Sequence, residues 1–130
     1  MAEVIVALDM PNREAAVGLV RSLDRATFFK IGLELFVREG PSIAREIRAS
    51  GRKVFLDLKL HDIPNTVARA AGAAAELGVE LLTLHASGGS RMIAAARQAV
   101  EGSGTRLLAV TALTSMAASD LAEAWGRTGP

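Results

Sequence analysis

Lys53-Val54-Phe55-Leu56-Asp57-Leu58-Lys59-Leu60 alternates strictly. On an extended strand Val54, Leu56, Leu58 and Leu60 fall on one face, and Lys53, Phe55, Asp57 and Lys59 on the other. A parallel strand covered by helices on both sides normally reads apolar on both faces. Here one face is wholly aliphatic, while the other gains charge toward its C-terminal end. A strand of a (β/α)8 TIM barrel would read this way, with aliphatic side chains toward the outer helices and charges at the C-terminal mouth.

The rest of the chain repeats a strand-then-helix rhythm five times. Strands are predicted near Glu3–Asp9, Thr27–Ile31, Lys53–Lys59, Glu80–His85 and Arg106–Thr111. Helical patterns lie near Asn12–Leu23, Pro41–Ala49, Pro64–Leu77, Ser90–Val100 and Ser119–Trp125. Asn12 suits an N-cap, Pro64 a first helical turn, and Gly51 and Gly78 the positions just past a helix. Strand–helix–strand repetition with short connections implies parallel strands joined by right-handed crossovers. An open doubly wound sheet shares that rhythm, and the charged end of the third strand favours the barrel. A whole barrel takes about 200 residues or more. The 130 residues are therefore expected to form a single domain, the N-terminal portion of a barrel with five of its eight βα units.

Composition narrows the function classes. Half the residues are apolar, 22% are charged, and fifteen Lys and Arg against fourteen Asp and Glu leave a formal charge of +1. That balance supports a buried core. With one Trp, no Tyr and four Phe, no basic, aromatic-laced surface for nucleic acid is expected. Cysteine is absent, which excludes disulfides, zinc–thiolate sites and cysteine nucleophiles. The N-terminal Met1–Asp9 lacks the basic start of a secretory signal, and no run approaches the roughly 18 apolar residues of a membrane span. A cytoplasmic protein with no membrane partner is the expectation.

The chemistry-bearing pattern is Asp57-x-Lys59-x-x-Asp62. Asp57 and Lys59 are two apart on one strand and should point the same way, with Cβ atoms about 7 Å apart. Asp62 follows in the loop before Pro64. Lys30 and Asp9 end the second and first strands, the equivalent positions, so a barrel would bring them to the same mouth. Lys30, Asp57, Lys59 and Asp62 sum to zero charge, and an alternating network can keep all four ionised in a dry pocket. The same spacing suits a purely structural salt-bridge network.

The surrounding residues add to this pattern. Phe55-Leu56-Asp57-Leu58-Lys59-Leu60-His61-Asp62-Ile63-Pro64-Asn65-Thr66-Val67 resembles the signature segment of the orotidine 5′-phosphate decarboxylase family. Val6-Ala7-Leu8-Asp9, Phe29-Lys30-Ile31-Gly32, Leu84-His85-Ala86-Ser87-Gly88-Gly89 and Ala109-Val110-Thr111-Ala112-Leu113-Thr114-Ser115-Met116 agree with it in order. The resemblance implies a cofactor-independent, metal-free carboxy-lyase with a barrel fold. Such an enzyme acts as a homodimer in pyrimidine biosynthesis, converting orotidine 5′-phosphate to uridine 5′-phosphate and carbon dioxide. Lys59 then matches the proton donor, Asp57 the carboxylate set against the substrate carboxylate, and Lys30 a lysine on the ribose hydroxyl. Asp9 resembles a ribose-contacting aspartate, Ile63 a residue lining the base pocket, and Thr114 a nucleotide contact. Asp62 and Thr66 match residues that reach the neighbouring site across the dimer.

The resemblance also implies phosphate-gripping loops after the seventh and eighth strands, which these residues do not include. The isolated segment is therefore expected to show little activity, and its last residues, Gly126–Pro130, read as a loop. Two alternatives are a Mg²⁺-dependent sugar-phosphate lyase of the same superfamily, with Glu34 as the nearby candidate ligand, and a non-catalytic barrel fragment that self-associates. His85 reads as a hydrogen-bonding support, His61 as an exposed or interface residue, and Gly88-Gly89 as a turn into a helix. The Ala68–Ala75 run and Trp125 read as packing.

Overall fold

The protein was analysed as a computed structural model that describes residues 2–126. Five parallel strands form one sheet in the order β1-β2-β3-β4-β5, so each strand pairs with its neighbours in sequence. They are β1 (Val6–Ala7), β2 (Phe28–Gly32), β3 (Lys53–Leu60), β4 (Leu81–His85) and β5 (Arg106–Val110). Helices α1 (Arg13–Ser22), α2 (Leu33–Glu39), α3 (Ser42–Ala49), α4 (Pro64–Glu76), α5 (Ser90–Ala99) and α6 (Ala118–Trp125) connect or follow them. This is the α/β alternation expected from the sequence. Of the loop expected at Gly126–Pro130, residues 127–130 lie outside the described part. No helix among the described residues is long and apolar enough to cross a membrane.

Local chemistry explains the boundaries. The Asn12 side chain accepts the Ala15 N–H at 3.0 Å and caps α1, as its residue type predicts. Pro64 opens α4, where its missing N–H leaves no bond unmade. Gly78 follows α4 with φ +74, a backbone conformation that side-chain-bearing residues rarely adopt, so glycine suits the position. Two elements differ from the sequence reading. Strand β1 spans only Val6–Ala7 rather than Glu3–Asp9, because only these two residues pair with β2, opposite Phe29 and Lys30. Its pairing still extends through the Leu8 N–H to the Lys30 carbonyl at 2.9 Å. Helix α2, not foreseen, begins directly after β2. It is held in place by Arg13, which bonds Glu39 at 3.3 Å and Glu46 of α3 at 2.7 Å.

The core lies where the sheet meets the helices, and Phe29, Ile31, Leu56, Leu82, Leu84 and Met92 are fully buried there. Up to Leu56 the alternation of β3 holds. Beyond it the register breaks: β3 advances four residues, from Leu56 to Leu60, while β4 advances two, from Leu82 to Leu84. Lys59 turns into the left-handed region with φ +50, the one described non-glycine residue to do so. Leu58 and Leu60, predicted on the aliphatic face, still pack against the core, though less deeply than Val54 and Leu56. Leu58 and Leu60 are half-buried, whereas Asp57 is buried.

Leu56→Ala should lower stability by about 2–5 kcal/mol, the usual range for a buried leucine. A denaturant melt should show an earlier midpoint with an unchanged slope.

Candidate active site

Because the strands are parallel, their C-terminal ends share one edge, and the sequence places ionisable residues at three of those ends. Asp9 follows β1, Lys30 lies in β2, and Asp57 and Lys59 lie in β3. Together with Gly32 and Leu35 they line a cavity of about 230 Å³. The Asp57 carboxylate is its hub. Lys59 Nζ lies 2.9 Å from Asp57 Oδ1 and 3.0 Å from Oδ2. Lys30 Nζ lies 3.4 Å from Oδ2 and 3.8 Å from Asp9 Oδ1. Lys30 and Lys59 are thus brought together on one carboxylate, although 29 positions separate them in sequence (59 − 30).

Thr83 of β4 completes this geometry. Its hydroxyl donates to Asp57 Oδ1 at 2.8 Å, and its oxygen accepts the Lys59 backbone N–H at 2.9 Å. Burial pushes the Asp57 carboxyl up, but the Lys59 and Thr83 hydrogen bonds and the charges of Lys59 and Lys30 outweigh it. The carboxyl is held below the ordinary aspartate value. The site is therefore an ionised carboxylate between two ammonium groups, partly shielded from water. It can place a positive charge beside a reacting atom and can deliver a proton.

Asp62 does not join this network within the chain. It is exposed, and its Oδ1 accepts the adjacent Ile63 N–H at 2.6 Å. The carboxylate that brings the set to neutrality within the chain is Asp9, next to Lys30, rather than Asp62. Asp57 and Lys59 do not sit as two residues of a regular strand; the turn at Lys59 brings its ammonium back onto Asp57. Ile63, 64% exposed, and Thr66 lie at the start of α4 with outward-facing surface. Thr114 is exposed in the segment after β5, away from the contacts of Asp57. His85, at the end of β4, packs at 5.5 Å against the ring of His61, tilted by 45°. Gly88 closes a short 3₁₀ turn and Gly89 leads into α5, a plain turn into a helix. Ala71 and Ala74 of α4 are buried, and Trp125 is 41% exposed. Glu34 pairs with Arg38 one helical turn on, at 3.1 Å. Thr83 is the residue that sequence reasoning missed; its signal was a lone hydroxyl inside the apolar strand Leu81–Leu84.

Residues 2–129 match the family model described as "Orotidine 5'-phosphate decarboxylase / HUMPS family". An orotidine 5'-phosphate decarboxylase of Neisseria gonorrhoeae is 53% identical over 130 residues, covering 98% of this chain and 53% of the relative. One of Photobacterium profundum is 52% identical over 124 residues, covering 92% of this chain and 54% of the relative. The crystal structure of orotidine 5'-phosphate decarboxylase from Lactobacillus acidophilus superposes with a TM-score of 0.86 at 40% identity. It covers 98% of this chain and 60% of the compared one. The chain thus spans about half the length of the curated relatives it matches.

Since the Asp57 carboxyl is held low in the folded protein, its ionisation stabilises the fold fully above the ordinary aspartate value of about 3.9. That contribution is lost as pH falls through the lower folded value. Denaturant melts from about pH 6 down to about pH 2 should show this acid-side loss, diminished in Asp57→Asn.

Proposed function

The chain belongs to the orotidine 5'-phosphate decarboxylase / HUMPS family, and from that premise we propose that it forms the first five βα units of a (β/α)8 barrel that decarboxylates orotidine 5'-phosphate to uridine 5'-phosphate. The observation that carries this reading is the Lys30–Asp57–Lys59 network at the cavity on the strand ends, with contacts of 2.9 to 3.4 Å. The names of relatives about half identical to it supply the substrate class.

The chemistry suits these residue types. Loss of carbon dioxide from the pyrimidine ring leaves a carbanion that the ring delocalises poorly. A fixed ammonium beside that carbon stabilises the developing charge and then supplies the proton. Lys59 is the proton donor in this reading, and Asp57 keeps it correctly aimed while facing the substrate carboxylate. Lys30 and Asp9 bind ribose hydroxyls, Ile63 lines the base pocket and Thr114 contacts the nucleotide. No metal or organic cofactor enters the scheme, since the lysine supplies both the charge and the proton. Asp62 and Thr66, exposed at the rim before and within the first turn of α4, reach the site of a second copy in a homodimer. A cytoplasmic setting fits a nucleotide-making enzyme of this kind.

In the complete enzyme, with all its βα units, Lys59→Ala should reduce turnover of orotidine 5'-phosphate to less than about a tenth, a barrier change above ~1.4 kcal/mol. Loss of substrate absorbance measures it, with and without chelator; activity that disappears with chelator would favour a metal-dependent lyase. Mixing inactive Lys59→Ala and inactive Asp62→Ala subunits should recover about a quarter of native activity, because half the random dimers then hold one intact site. No recovery would mean that Asp62 serves its own subunit.

A further inference from the structure

We propose that Thr83 is a positioning residue, whose hydroxyl locks the Asp57 carboxylate to the turned backbone of Lys59 and so aims the lysine ammonium; this rests on the reading of Lys59 as proton donor. Thr83 is 3% exposed and lies between the apolar Leu82 and Leu84, where a hydroxyl with no task would be unfavourable. Its two hydrogen bonds leave no choice of direction. The ionised carboxylate of Asp57 accepts only, and the Lys59 N–H donates only. The hydroxyl proton therefore points to Asp57 Oδ1 at 2.8 Å, and a lone pair of the same oxygen faces the Lys59 N–H at 2.9 Å.

The register break gives this contact its purpose. Between Leu56 and Leu60 strand β3 slips by two residues relative to β4, so the Lys59 N–H is satisfied by a side chain in place of a strand carbonyl. A left-handed lysine is disfavoured by about 1–2 kcal/mol, and the Thr83 hydroxyl holds it there. The branched Cβ of threonine restricts χ1, so the oxygen stays where both partners need it. Each end of the Asp57–Lys59 unit is thereby tied to β4: the carboxylate directly, and the lysine through its own backbone.

The test uses the complete enzyme, with the βα units that follow these five, as wild type, Thr83→Val and Thr83→Ser, with Thr83→Ala as a second hydroxyl-free variant should valine not fold. Two readouts are taken: the ¹³C NMR titration of the Asp57 carboxyl, and kcat and KM for orotidine 5'-phosphate. Removing the hydroxyl should raise the Asp57 midpoint and lower kcat by about tenfold or more while KM changes far less. Serine should restore both. An unshifted titration with unchanged kcat, or a serine variant as impaired as valine, would overturn the inference, as would a loss of thermal stability alone. A wild type that does not decarboxylate would overturn the substrate reading, while the titration would still decide the Thr83 contact.

Discussion

One carboxylate organises the edge of the sheet where the strands end. Asp57 accepts from Lys59 on both oxygens, from Lys30 on one and from Thr83 on the other. Three strands are thereby joined through a single side chain at the edge where the sheet carries its charges. An uncompensated charge of this burial would cost several kcal/mol; two ammonium groups and a hydroxyl satisfy it. The lysines and the Thr83 hydroxyl hold the Asp57 carboxyl below the ordinary aspartate value. Neutrality within the chain comes from Asp9, which is mostly exposed and less tightly engaged than Asp57.

The sequence made the strand rhythm legible because parallel strands separated by helices leave short, β-rich apolar runs at regular intervals. It also made Lys30, Asp57 and Lys59 legible as partners, because parallel topology sends every strand's C-terminus to one edge. Three features escaped it. The end of β1 depends on having a partner strand, which local propensity does not reveal. Helix α2 is seven residues long, and its alternating Leu33, Leu35 and Val37 suit a strand as well as a helix. The turn at Lys59 has no local signature, since neither glycine nor asparagine stands there; it arises from a tertiary contact with Thr83, 24 residues on.

That tertiary contact changes what the motif means physically. Read as a regular strand, Asp57 and Lys59 would stand side by side, each free to choose its rotamer. The slipped register instead folds the lysine back onto the carboxylate. Asp62, in the same motif, then falls outside the network of its own chain. The spacing that looks like one cluster in sequence is two devices in space: a part-buried pair, and an exposed carboxylate at the rim.

Strand order equal to sequence order also shapes how the molecule is made. Each strand pairs with the one synthesised before it, so the sheet can grow by one unit at a time as the nascent chain emerges. At ribosomal rates of about 5–20 residues per second, Asp57 and its three partners are all synthesised once β4 has been made, at His85. Asp57 and both lysines precede Thr83, so the last of the four to arrive is the hydroxyl that fixes the others. Pairing of β4 with β3 is thus the step at which the Thr83 hydroxyl can join the Asp57–Lys59 pair.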